Sequence, residues 1–226
     1  SDPARLVARE IGADRASTTL VELGVSQQHT IDRALQRIQD GEIGIALVTG
    51  GEARYRALVA SKSGDEASLT VQTDDKPDLT LEPEAELWSE VESATGLGMP
   101  VGFYAIMDSA LRYKQGLTPT DHRLQMGQMY QRFSEIAAEN PQAWSREALS
   151  ASTITEPSAK NRMLAFPYTK LHNSQWNVDQ GAGLIFCSVG MARELGINSS
   201  RWIFPRAFAE SNFMSVVSSR GDLGGC

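Results

Sequence analysis

The chain has 226 residues, 41% of them apolar, and a formal net charge of −7. That size supports one large domain or two modest ones with a real core. The acidic balance and the scattered basic residues exclude a generic nucleic-acid binder, and no apolar run is long enough to span a membrane. The sequence opens Ser1-Asp2-Pro3 with no apolar run behind it, so no signal peptide is expected there. The cysteines, Cys187 and Cys226, form no disulfide framework. A reduced, cytoplasmic setting is the simplest expectation.

Residues 3–11 are predicted helical, with Ser1 or Asp2 as cap, Pro3 in the first turn and Gly12 at the exit. Residues 17–21 are a short β-prone run, broken by Gly24. Residues 26–40 have helical period, with Ile31, Ala34, Leu35 and Ile38 on one face and Gly41 as the stop. Residues 43–48 are continuously apolar, which predicts a strand covered on both faces in a parallel sheet. Strand, helix and strand in this order suggest a right-handed βαβ unit. Residues 64–86 are acidic, with Asp74-Asp75 and Pro77, and suggest an exposed excursion. Helices follow from Pro100 to Gly116 and from Thr118 or Thr120 to Pro141. Leu124, Met129, Phe133 and Ile136 of the second are expected to face inward. Residues 151–167 are irregular. Residues 182–188 are an apolar strand, 189–195 a short helix, and Trp202-Ile203-Phe204 a candidate further strand.

Two stretches carry a resemblance. The first runs Val21-Glu22-Leu23-Gly24-Val25-Ser26-Gln27, through a helix, to Asp40-Gly41-Glu42-Ile43-Gly44-Ile45-Ala46-Leu47-Val48-Thr49-Gly50-Gly51. The second is Leu171-His172-Asn173-Ser174 through Asp179-Gln180-Gly181-Ala182-Gly183 to Cys187-Ser188, then Ala192-Arg193-Glu194-Leu195-Gly196-Ile197. Their order and spacing resemble the thiolase superfamily. The first is similar to its nucleophile turn, the second to the opening of its C-terminal half. Asn161-Arg162-Met163-Leu164-Ala165-Phe166-Pro167-Tyr168, lying between them, resembles the loop domain of actinobacterial thiolase-like proteins labelled acetyl-CoA acetyltransferases.

This resemblance implies an α/β, thiolase-like fold of layered αβαβα type, here incomplete, with a mainly helical loop-domain insertion. It divides the chain into an N-terminal half-domain (1–63), the insertion (64–170) and the start of the C-terminal half (171–226). The family's opening βα segment and its Asn-Glu-Ala-Phe, Gly-His-Pro and Cys-x-Gly motifs do not occur here, so the sequence resembles an internal piece. Such a piece leaves apolar edges open and is expected to associate or to dissolve poorly.

Thiolase chemistry needs a thiolate at a helix N-terminus to take an acyl group from CoA. The resemblance places Val25 at that position. Valine has no nucleophile, which puts thiolytic or condensing activity in doubt. Ser26, next to it, is either a helix cap or a nucleophile shifted by one residue, and capping is the commoner role. His29 is a pocket or surface residue, and His122 is expected to be solvated. His172 is the histidine placed by resemblance to contact a thioester. Gly24, Ser26, His172, Asn173 and Ser174 form the implied substrate-binding set, with CoA or acyl-CoA as ligand and nothing bound covalently.

Cys187 is expected to be an inert core residue. Arg54, Arg56 and Lys62 make a solvated face or meet CoA phosphates. The histidines and cysteines make no metal motif. The family implies a role in lipid metabolism and either a homodimer or a thiolase-like partner. The alternatives are a non-catalytic assembly subunit and an acyltransferase whose catalytic residue lies outside this chain.

Overall fold

The structure, a computed structural model, describes residues 1–68, 70–73, 75–210 and 215–224. Asp74 and Cys226 lie outside the described residues. The chain divides into two compact units. One comprises residues 1–85 and 176–214, the other residues 86–175 and 215–226.

The first unit begins with α1 (Pro3–Glu10). Asp2, fully buried, accepts the Arg5 N–H at 3.0 Å and the Thr18 hydroxyl at 2.7 Å. β1 (Thr19–Val21) follows, then α2 (Gln27–Gln39), capped by Ser26. β2 (Ile45–Ala53) runs directly into α3 (Arg54–Ser63).

The acidic stretch after α3 contains β3 (Leu79–Leu81), which pairs with β1 in parallel. Composition hides this strand because its anchors are ionic. Asp78 accepts the Thr18 N–H at 2.7 Å and the Arg5 guanidinium at 3.1 Å, and Asp75 takes Arg9 in two bonds of 2.7 and 2.9 Å. These bonds hold the Asp78 carboxyl below its usual range, the Thr18 N–H foremost.

β6 (Asp179–Cys187) and α8 (Val189–Glu194) complete the regular part of this unit. β2 pairs with β6 antiparallel over nine residues, from Ile45 opposite Cys187 to Ala53 opposite Asp179. This corrects the βαβ expectation: β1 and β2 lie in different two-stranded sheets. The coverage differs too. Ala46, Val48 and Phe186 are half-buried on the ribbon that α2 packs against, whereas Ile45, Leu47 and Ile185 are exposed. The strand is also longer than its apolar core, because Gly50 and Gly51 lie within it. At Gly51 a Cβ would sit 3.2 Å from the Gln180 carbonyl oxygen, so the close approach of the two backbones needs glycine there. Trp202-Ile203-Phe204 forms no strand, and Ile203 is 92% exposed. Three apolar residues without a partner edge have no ladder to join.

The second unit contains α4 (Glu90–Ala94), α5 (Pro100–Lys114), α6 (Pro119–Glu139) and α7 (Ala151–Thr155). A small hairpin of β4 (Met163–Ala165) and β5 (Tyr168–Thr169) completes it. Of the two caps that the sequence offers, Thr118 and Thr120, it is Thr118 that caps α6, by accepting the Asp121 N–H at 3.1 Å. The buried face of α6 is not the one its large apolar residues mark. Leu124, Met129, Phe133 and Ile136 are all about half exposed, while His122, Met126 and Gly127 are buried. α7 decides this: a Cβ at Gly127 would lie 2.8 Å from the Thr155 methyl and 3.2 Å from the Ala151 Cβ. Glycine lets the two helices approach there, and that fixes the rotation of α6.

Asn161 holds the end of α7. Its side-chain amide donates to the carbonyls of Thr153, Ile154 and Glu156 at 2.9–3.1 Å, and its oxygen accepts the Leu171 N–H at 2.9 Å.

Candidate functional site

Parallel pairing brings the carboxyl ends of β1 and β3 side by side. β1 leads into the turn at residues 22–25, where the Val25 N–H donates to the Glu22 carbonyl at 3.2 Å and the Glu22 N–H donates to the Leu81 carbonyl at 2.9 Å. β3 leads into Glu82-Pro83-Glu84. Ligands of α/β proteins gather outside such strand ends. A cleft of about 190 Å3 lies here, lined by Gly24, Val25, His29, Leu81, Glu82, Pro83 and Glu84.

Gly24 has φ +107°, a backbone that only glycine adopts without strain, and it turns the chain from β1 into α2. Ser26 then caps α2, its hydroxyl oxygen accepting the His29 N–H at 3.3 Å. The capping role is thus met directly. The first-turn N–H groups and the positive end of a 13-residue helix begin at this turn.

His29 belongs to the cleft, and its Nδ1 lies 2.9 Å from Glu210 Oε1. Sequence reasoning missed Glu82, Glu84 and Glu210. Glu210 is separated from His29 by 181 residues, and no local signal links them.

The other implied site residues belong to the second unit. His172 is 6% exposed. The Thr169 N–H donates to its Nδ1 at 3.1 Å, while the Thr169 hydroxyl, 2.9 Å from the same nitrogen, donates to the Ile154 carbonyl at 2.6 Å. An accepting Nδ1 puts the proton of the neutral ring on Nε2. That Nε2 is buried without a hydrogen-bond partner among the described residues. The rings of Tyr130 and Tyr168 stand edge-to-face against the imidazole at 4.8 and 6.0 Å. Asn173 donates to the Thr169 carbonyl at 2.7 Å, and Ser174 is exposed. His122, expected to be solvated, is buried instead, its Nε2 3.3 Å from Asp108 Oδ1. The α6–α7 contact that turns Gly127 inward carries it there. Beside this pair, burial first and the Asp108 charge second push the Tyr168 phenol up to about 12.

Burial, with the Arg123 charge adding to it, pushes the His172 imidazole below its ordinary value. The neutral ring is the folded form, and the unfolded chain takes up a proton near pH 6.5. The stabilisation is therefore complete above about pH 6.5 and is lost as the pH falls through the lower folded value. Urea unfolding at pH 7.5 and pH 5 should show a lower midpoint in acid for the native chain. His172→Asn, which keeps an acceptor for the Thr169 N–H, should reduce that difference. An equal difference in both proteins would remove His172 as its source.

Elsewhere in the first unit, the Arg54 guanidinium stacks 4.4 Å over the Trp176 ring and pairs with Glu52 at 3.1 Å. Cys187 is half-buried in β6. Among the described residues no group of histidine, cysteine and acidic side chains could hold a metal, and no helix is long and apolar enough to cross a membrane.

No protein-family model matches this sequence, and no curated protein does. A solved structure does match: the monomeric SCP2-thiolase-like protein type 1 of Mycobacterium smegmatis, with a TM-score of 0.72 and 29% identity, over 97% of this chain and 41% of that one. The chain thus spans about two-fifths of the length of that protein, and the fold it forms over nearly all of its own residues is thiolase-like.

Proposed function

We propose that the protein binds acyl-CoA thioesters, in the manner of an acetyl-CoA acetyltransferase that has no sulfur at its nucleophile turn. One observation carries this reading. Val25 sits between a positive-φ glycine and the cap of α2, in a cleft at the carboxyl ends of two parallel strands, within a thiolase-like fold. The location suits an acyl thioester. Its carbonyl oxygen gains from the helix N-terminus, but valine forms no acyl-enzyme. His172, Asn173 and Ser174, proposed from the sequence to complete the binding set, belong to the other unit, and His172 is engaged with Thr169.

The test is calorimetric titration of CoA and acetyl-CoA into the native protein and into Val25→Cys. Both proteins should bind, and the variant alone should gain an acetyl group on the new thiol, visible by mass spectrometry. Binding without acetylation would take Val25 out of the thioester pocket. Failure of both proteins to bind would defeat the reading.

A second reading has its own support. The exposed face of the β2–β6 ribbon, Ile45, Leu47 and Ile185, suits a non-catalytic subunit that keeps the fold for assembly with itself or with a thiolase-like partner. Stable pairing without CoA binding would favour it.

A further inference from the structure

One wall of the cleft is held from a distance. Leu81, Glu82, Pro83 and Glu84 line it, at the end of β3 and directly after it. β3 has three residues and, among the described residues, pairs along one edge only, with β1. So short a ladder is weak on its own. A slip by one residue exchanges the faces of a strand. Here it would bring Glu82 opposite Val21 in place of Leu81, a charged side chain for an apolar one beside the cleft. The residues before β3 oppose that slip. Gln72, Asp75 and Asp78, three residues apart, each bind α1 or its immediate flank. The Gln72 side chain takes both backbone groups of Asp2, its oxygen accepting the N–H at 2.9 Å and its amide donating to the carbonyl at 2.8 Å. Arg9 donates twice to Asp75, and Arg5, one helical turn away on the same face of α1, donates to Asp78 at 3.1 Å. Arg5 is 18% exposed, so water does not readily replace it at Asp78. Asp78 also accepts the N–H of the buried Thr18 at 2.7 Å, one residue before the β1–β3 ladder begins.

We propose that Asp75 and Asp78, gripped by Arg9 and Arg5 of α1, are positioning residues for this cleft. They fix the register of β3 on β1, and with it the placing of the Leu81–Glu84 wall against the Val25 turn. The proposal rests on the reading of the cleft as an acyl-thioester site. The path from latch to cleft is continuous. Asp78 fixes Leu79 beside Thr19, Leu81 then lies beside Val21, the Leu81 carbonyl accepts the Glu22 N–H at 2.9 Å, and the Glu22 carbonyl accepts the Val25 N–H at 3.2 Å. The acyl part of a ligand lies between the two ends of that path, so the latch acts on the acyl part and leaves the rest of CoA alone. α1, which lends no side chain to the cleft lining, thereby sets how well the cleft distinguishes an acylated CoA from a free one.

The experiment titrates two probes calorimetrically, free CoA and a non-hydrolysable thioether analogue of acetyl-CoA, and reads the ratio of their affinities. General loss of folded protein lowers both affinities together, so the ratio reports the cleft wall and not stability. The native protein should prefer the analogue. Asp78→Ala should weaken the analogue about tenfold and CoA far less. Arg9→Asp and Asp75→Arg should each weaken the analogue about threefold, and the two together, which restore the pair with its charges exchanged, should recover the native ratio. Where Asp78→Ala shows no cooperative unfolding transition, the exchange series decides. A native ratio kept by Asp78→Ala, or by both single exchange variants, overturns the proposal and leaves acyl-CoA binding standing. A double exchange variant no better than its parents also overturns it. Failure of the native protein to bind either probe overturns this proposal and the binding reading together.

Discussion

Asn161→Ala should destabilise the second unit by about 3 kcal/mol, one of the larger losses available to a single substitution in this chain. The side chain is 3% exposed and fully used, donating to three carbonyls at the end of α7 and accepting one N–H. Alanine removes four bonds, the one to the Ile154 carbonyl buried and the others part-buried, and a group left unsatisfied in a buried setting costs about 1–3 kcal/mol. The Ile154 carbonyl keeps the Thr169 hydroxyl, so the loss falls short of a full sum. Urea unfolding measures the difference, and hydrogen exchange of the α7 amides locates it. A change below about 1 kcal/mol would mean that water enters and replaces the lost bonds.

The second large effect concerns association. Leu47 and Ile185 are direct partners across the β2–β6 ribbon, so their side chains share one face with Ile45. That face is exposed, Ile185 at 73%. In sedimentation velocity over a tenfold concentration range, the native chain should show a rising average mass. Leu47→Lys with Ile185→Lys should remain at its monomer mass, because two desolvated charges oppose any apolar contact there. A native chain that is monomeric throughout, with a sharp concentration-independent unfolding transition, would rule out this face as an association surface.

What the sequence revealed and what it hid divide along local and distant causes. The turn at Gly24, Val25 and Ser26 was legible because a positive-φ glycine, a serine cap and a helical period all act within a few residues. The starts of α1 and α5 were legible for the same reason, each marked by a proline in its first turn, and that of α6 by a threonine cap. β3 was not. Its residues are few, its neighbours acidic, and it exists because Arg5, Arg9 and Thr18, some sixty to seventy positions away, bind Asp75 and Asp78. The burial of α6 was misread because periodicity registers large apolar side chains, whereas the helix packs through the one residue that has none, Gly127. β2 has the apolar run of a parallel strand, but its pairing with β6 is antiparallel and leaves one face uncovered. In the candidate site the resemblance reached Gly24 and Val25. It had no means of reaching Glu82 and Glu84, which the pairing of β1 with β3 brings to the cleft, or Glu210, which the return of the chain brings to His29.

The centre of the β2–β6 ribbon is built from very small residues: Thr49, Gly50 and Gly51 lie opposite Gly183, Ala182 and Gly181. Side chains there cannot interlock, so the main chain alone does not resist a slip of alignment between the strands. Protection against slippage comes from elsewhere on the ribbon. The Thr49 hydroxyl donates across the ribbon to the Ala182 carbonyl at 2.8 Å, and the apolar end from Ile45 to Val48 meets Leu184 to Cys187. At the opposite end the Arg56 N–H donates to Asp179 Oδ1 at 3.1 Å and the Tyr55 N–H to the Val178 carbonyl at 3.3 Å, so the alignment is held at its two ends and by one hydroxyl between them.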